Sequence, residues 1–130
     1  VQEVRPEETA SYGIIAGEPE DDRVIRMRQI VEKPKPQDAP SNLGVVGRYV
    51  LTPTVFDCLE RVKPGTGGEI QLTDGIAAAM ALEGAVGYRF EGIRYDCGSK
   101  FGYLQANIMY GLRHTEVGAD LAQFLKSIAE

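Results

Sequence analysis

Three prolines, Pro34, Pro36 and Pro40, fall between two apolar stretches of the chain. Proline lacks the backbone N–H and fixes φ, so neither a helix interior nor an interior strand can run through this segment. The chain must therefore turn between RVIRMRQIV, residues 23 to 31, and LGVVGRYVL, residues 43 to 51. The first run alternates so that Ile25, Met27, Gln29 and Val31 share one face, which predicts a half-buried strand. It is preceded by SYGIIA at 11 to 16 and by the acidic turn EPEDD at 18 to 22, so these two runs are expected to pair as a hairpin. LGVVGRYVL is almost continuously apolar, which predicts a central strand over 43 to 51 covered on both faces.

Helical signals follow. Thr52 before Pro53 predicts a helix start, with the hydroxyl as cap and proline at the first position, and TPTVFDCLERV should be helical until PGTGG stops it. Residues 69 to 83 place Ile70, Thr73, Ile76, Ala77 and Met80 on one helical stripe. A short strand at VGYRFEG and an irregular IRYDCG come next. Ser99 should then cap a helix in which Phe101, Leu104, Ile108 and Leu112 recur at helical spacing, and a last amphipathic helix is expected from about 117 to 128. Strands and helices in this order predict an α/β layered domain. A chain of 130 residues suits one core, with the terminal helices, residues 99 to 130, free to pack on a partner.

A net charge of −5 disfavours binding to nucleic acid or anionic lipid. No apolar run approaches the ~20 residues that span a bilayer, and a cytoplasmic location is expected. Two cysteines, Cys58 and Cys97, lack metal-ligand spacing and are expected to be reduced thiols. The chain opens at Val1 and runs directly into VQEVRPEETASYGII, from which we expect a piece of a longer protein.

Glu32 and Lys33 lie between the strand-like run and Pro34. A carboxylate accepts hydrogen bonds from sugar hydroxyls, and an ammonium is a compact cation suited to phosphate. Neighbours in an extended chain point opposite ways, but a turn at Pro34 can bring both heads to one cleft, where they would read a sugar phosphate. The alternative is a solvated pair at a loop edge.

SYGII at 11 to 15, VEKP at 31 to 34, SNLGVVGRYVL at 41 to 51, GEIQLTDGI at 68 to 76 and YDCGSKFGYLQA at 95 to 106 occur in this order. The series resembles the carboxy-terminal half of the bacterial UTP-glucose-1-phosphate uridylyltransferases, or UDP-glucose pyrophosphorylases. The resemblance implies the carboxy-terminal part of a Rossmann-like nucleotidyltransferase domain, a mixed sheet with packed helices. It implies transfer of a uridylyl group from UTP to glucose 1-phosphate, giving UDP-glucose and pyrophosphate, with Mg²⁺ as cofactor. A homo-oligomer is expected on other grounds, because a strand over 43 to 51 apolar on both faces and the apolar stripes of the terminal helices favour self-association.

By resemblance, Gly13 brings backbone against the hexose, Glu32 holds glucose hydroxyls and Lys33 neutralises the phosphate. Asp96 is implied as a magnesium ligand, against the alternative of an exposed turn residue. Lys100 meets phosphate or merely occupies the first helical turn, and Val46 and Gly47 line the sugar pocket through backbone. Lys33 and Asp96 are the residues expected to act in the reaction. His114 at a helix end and Cys97 without an activating neighbour are expected to be structural. This sequence carries no G-x-G-x-[TS]-R-like stretch, so the segment alone is expected to be inactive. Two other readings stay open: a noncatalytic sugar-phosphate-binding or oligomerisation module, and a nucleotidyltransferase using another nucleotide.

Overall fold

The structure, a computed structural model, describes residues 1–65 and 68–128. Part of the PGTGG stretch expected to end the first helix lies outside the described residues. The chain divides into two compact units, Val1–Phe90 and Glu91–Glu130.

The first unit is built on a five-stranded sheet in the order β1-β4-β2-β3-β5. The strands are β1 (Gln2–Glu3), β2 (Gly13–Pro19), β3 (Val24–Glu32), β4 (Leu43–Val45) and β5 (Val86–Tyr88). The α/β class is as expected, but the four strand pairings are all antiparallel, where the sequence reading had a mixed sheet. The β2–β3 hairpin forms across the acidic turn. Its turn is tied by the Asp21 carboxylate, which accepts hydrogen bonds from the backbone N–H of Arg23 at 2.6 Å and Val24 at 2.7 Å. Those two bonds hold the Asp21 carboxyl below its ordinary range.

The register of the hairpin breaks once. Ala16 pairs with Gln29, and the next residue, Gly17, pairs with Met27, so Arg28 is an extra residue in β3. A bulge of this kind shifts the side-chain alternation by one. Ile25 and Met27 therefore share a face with Ile30 and Glu32, not with Gln29 and Val31 as simple alternation predicts. Ile25, Met27 and Ile30 are buried and Gln29 is exposed. Gly17 is required there, because a Cβ at this position would lie 2.0 Å from the backbone oxygen of Arg26.

Two helices cover that face: α1 (Thr54–Leu59) and α2 (Leu72–Glu83). Ile15, Ile25, Met27, Ile30, Leu43, Val55 and Ile76 form the core between sheet and helices. The opposite face is covered near Ile14, which is fully buried. Its partner Gly44 has no room for a side chain, since a Cβ would lie 2.8 Å from Cγ1 of Val4.

Several boundaries differ from the sequence reading: α1 stops at Leu59, short of the expected Val62, and β5 at Tyr88, short of Gly92. The strand expected over 43 to 51 is paired only at Leu43–Val45, because β2 ends its ladder with Gly13 opposite Val45. Gly47 then turns the backbone with φ of 69°, and Val50 is fully exposed. Thr52 does not cap α1. Its hydroxyl donates to Glu83 at the far end of α2, and Thr54 donates to the same carboxylate at 3.2 Å. The second helix begins after Gln71 and not at Glu69, leaving Ile70 half exposed.

At the end of β3, Lys33 has φ of 45° and its N–H donates to the Tyr12 carbonyl at 3.0 Å. Left-handed backbone is uncommon for a side chain other than glycine, and Pro34 restricts this residue further.

The second unit holds α3 (Lys100–Arg113) and α4 (Gly118–Ser127). Ser99 caps α3 as the sequence indicates, its hydroxyl accepting from the Gly102 N–H at 3.0 Å. Tyr95 meets Tyr110 edge to face with centroids 6.2 Å apart. Phe101, Leu104, Tyr110 and Phe124 are exposed.

Two predictions follow from the β3 backbone. Gly17→Ala should lower stability by at least about 1–3 kcal/mol, because the clash is with main chain that cannot rotate away; a chemical-denaturation midpoint equal to wild type would contradict the bulge. At Lys33, replacement by glycine should leave the protein about 1 kcal/mol more stable than replacement by alanine, since only alanine bears the left-handed steric cost. Comparison of the two urea midpoints checks this, and an alanine variant as stable as the glycine variant would contradict the left-handed backbone.

Candidate functional site

Gly13, Glu32 and Val45 are register neighbours across β2, β3 and β4, so they lie side by side on the helix-covered face. They sit two pairs along the ladder, and so on the same face, from the buried row Ile15, Ile30 and Leu43. The first turn of α2 reaches the same place: Thr73, one turn before the core residue Ile76, donates its hydroxyl to Glu32 Oε2 at 2.6 Å. Thr73 is buried, and the Glu32 side chain is 27% exposed, so this carboxylate is at once anchored and reachable.

Lys33 completes the group. Its left-handed backbone breaks the alternation that would send adjacent side chains to opposite faces, and its Nζ lies 3.6 Å from Glu32 Oε1. The two charged heads come together as the sequence reading expects, by a left-handed residue before Pro34. A carboxylate has about four lone-pair sites. With Thr73 on one oxygen and Lys33 near the other, Glu32 can still accept from further hydroxyls.

Gly13 keeps that acceptor open. A Cβ there would lie 3.3 Å from Glu32 Oε2 and 3.8 Å from Thr73 Oγ1. Of the residues singled out in the sequence, Gly13, Glu32 and Lys33 are thus brought together. Val46 and Gly47 follow directly after β4, and the side chain beside Gly13 is that of Val45, 3.8 Å from the same Cβ position. Tyr49 also feels this site: burial raises the pKa of its hydroxyl, and the Glu32 charge adds to the rise.

Asp96 and Lys100 belong to the second unit. Asp96 Oδ1 accepts from the Gly98 N–H at 3.0 Å, and Oδ2 lies 3.5 Å from Arg94 Nη2. The Asp96 carbonyl accepts from the Ser99 hydroxyl and the Ser99 N–H, both at 3.1 Å, which locks the carboxylate-bearing turn to the start of α3. Lys100 is the exposed first residue of that helix.

Among the described residues no group of three or more His, Cys, Asp or Glu side chains could hold a metal ion. Magnesium usually keeps several waters and takes one or two carboxylates with substrate phosphates, so a single carboxylate on a braced turn fits as a contributing ligand. Cys58 is buried and Cys97 exposed, both free thiols. His114 ends α3, its Nδ1 accepting from the Glu116 N–H at 3.2 Å.

Sequence reasoning missed Thr73 as the partner of Glu32 and Val45 as the neighbour of Gly13. For Thr73 a signal existed, since it is the polar member of an otherwise apolar helical stripe, and a buried hydroxyl needs a partner.

The nucleotidyl transferase family pattern matches residues 1–111. A UTP–glucose-1-phosphate uridylyltransferase of Pseudomonas aeruginosa is 54% identical over 107 residues, which are 82% of this chain and 38% of that protein. The enzyme of the same name from Staphylococcus epidermidis is 45% identical over 128 residues, 98% of this chain and 44% of that protein. Among solved structures, a UDP-glucose pyrophosphorylase complexed with UDP-glucose aligns with a TM-score of 0.82 and 44% identity, covering 87% of this chain and 43% of that one. A UTP-bound enzyme from Acinetobacter baumannii aligns with a TM-score of 0.78 and 42% identity, covering 95% of this chain and 42% of that one. The chain thus spans well under half the length of these relatives. With the matched pattern running from the first strand into α3, this chain belongs to the nucleotidyl transferase family.

Proposed function

We propose that the protein of which this chain forms part transfers a uridylyl group from UTP to glucose 1-phosphate, giving UDP-glucose and pyrophosphate, and that this chain supplies the sugar-phosphate side of the site. The observation that carries the reading is the Gly13–Glu32–Lys33 cluster: an anchored acceptor, a cation beside it, and a glycine that leaves the approach open. Its support from relatives is that one similar structure is described as complexed with UDP-glucose and another as UTP-bound.

In this mechanism Glu32 accepts hydrogen bonds from glucose hydroxyls and so sets the position of the phosphate they carry. Lys33 pairs with that phosphate, whose oxygen attacks the α-phosphorus of UTP in line. The sugar phosphate is already anionic at neutral pH, so no general base is required, and orientation with charge compensation carries the rate. Lys100, in the second unit, is a further candidate cation for phosphate, and the backbone of Val46 and Gly47 borders the sugar. Asp96 is the residue of this chain that would hold magnesium, which when bound would compensate phosphate charge. The free thiols suit a reducing compartment, supporting a cytoplasmic location; no helix among the described residues is long and apolar enough to cross a membrane. Exposed Phe101, Leu104 and Phe124 support a homo-oligomer.

In the full-length protein, Glu32→Ala and Lys33→Ala should each lower kcat/KM for glucose 1-phosphate by about one to two orders of magnitude, the range for losing a charge-assisted hydrogen bond. Wild-type kinetics in both would remove the pair from the site. Asp96→Asn keeps the shape but loses the charge that attracts a hard cation. Initial rates across a magnesium titration should show a large loss of turnover, and an unchanged rate with unchanged half-saturating magnesium would exclude Asp96 as a ligand.

A further inference from the structure

We infer that Thr73 is a positioning residue for sugar recognition: its hydroxyl holds the Glu32 carboxylate in the one orientation that leaves free lone pairs directed past Gly13. This rests on the uridylyl-transfer reading, and it assigns a role to the GEIQLTD block beyond starting a helix.

Glu32 is the last residue of β3, and nothing in strand geometry alone fixes a flexible glutamate at a strand end. The structure supplies two restraints of different kinds. Lys33 reaches it from an exposed side chain, a pairing that is solvent-screened and geometrically loose. Thr73 reaches it from a buried position with a directional bond of 2.6 Å. A bond to an ionised acceptor in a partly buried site is the stronger restraint. Gly13 closes the geometry, because its missing side chain is what lies next to both Glu32 Oε2 and Thr73 Oγ1. Thr73 is itself held by the packing of α2, one turn from Ile76 in the core, so the core of the first unit is transmitted to the carboxylate through a single hydroxyl.

The test uses Thr73→Val, which removes the donor, and Thr73→Ser, which restores it, both in the full-length protein. The valine variant should raise KM for glucose 1-phosphate about tenfold and leave KM for UTP near wild type, while serine returns KM to within about threefold of wild type. In parallel, the side-chain carboxyl ¹³C resonance of Glu32 should shift in the valine variant and return in the serine variant. An unchanged KM for glucose 1-phosphate, an equal loss towards both substrates, or an unmoved Glu32 resonance would each overturn the inference. Should the unmutated protein fail to use glucose 1-phosphate at all, the functional reading fails and the positioning role with it, and a shifted resonance in the same samples would show that the Thr73–Glu32 bond itself is real.

Discussion

The extra residue at Arg28 determines where the chemistry of the first unit can lie. With strict alternation, Ile25 and Met27 on the core face would put Glu32 on the other side of the sheet. The bulge reverses the parity between Met27 and Ile30, so a single strand buries Ile25, Met27 and Ile30 and still ends with its carboxylate on the helix side. Gly17 permits the bulge by removing a side chain that the Arg26 carbonyl would exclude. Salt bridges from Arg28 to Glu18 and from Arg26 to Glu20 flank it on the solvent side, where each contributes little.

Once Glu32 faces α2, the rest of the cluster is a question of satisfying it. A half-buried carboxylate without partners is costly. Thr73 and Lys33 meet that need from opposite directions, one from the core and one from solvent. The left-handed backbone at Lys33 is the local strain that makes the second contact possible. Strain of this kind persists where surrounding structure over-determines it, and here the Lys33 N–H is tied to the Tyr12 carbonyl while β3 ends immediately before it.

The second unit uses a different device. Asp96 is held by backbone and side-chain bonds of its own turn, to Gly98 and Ser99, and by Arg94. The same Ser99 that braces Asp96 caps α3, so helix start and carboxylate are set by one residue. That economy accounts for the density of the DCGSKFG block: each of Asp96, Gly98, Ser99 and Gly102 takes part in one connected set of bonds.

The sequence by itself determined the elements whose cause is local. The acidic turn between two apolar runs specified the hairpin, Ser99 specified the α3 cap, and apolar periodicity specified α2, α3 and α4. Glu32 and Lys33 were visible as an adjacent charged pair before a proline, whereas Gly13 joined them only through the resemblance to the uridylyltransferases. Tertiary structure decided the rest. The bulge at Arg28 is a property of the β2–β3 pair, since nothing in RVIRMRQIV alone marks an unpaired residue. The end of β4 at Val45 depends on where its antiparallel neighbour β2 begins, at Gly13, not on the apolar residues that follow. Thr52 looks like a helix cap until Glu83, 31 residues away, takes its hydroxyl. Thr73 acquires its role only when α2 packs on β3, because a hydrogen bond between residues 41 positions apart is made by packing and leaves no local periodicity to read.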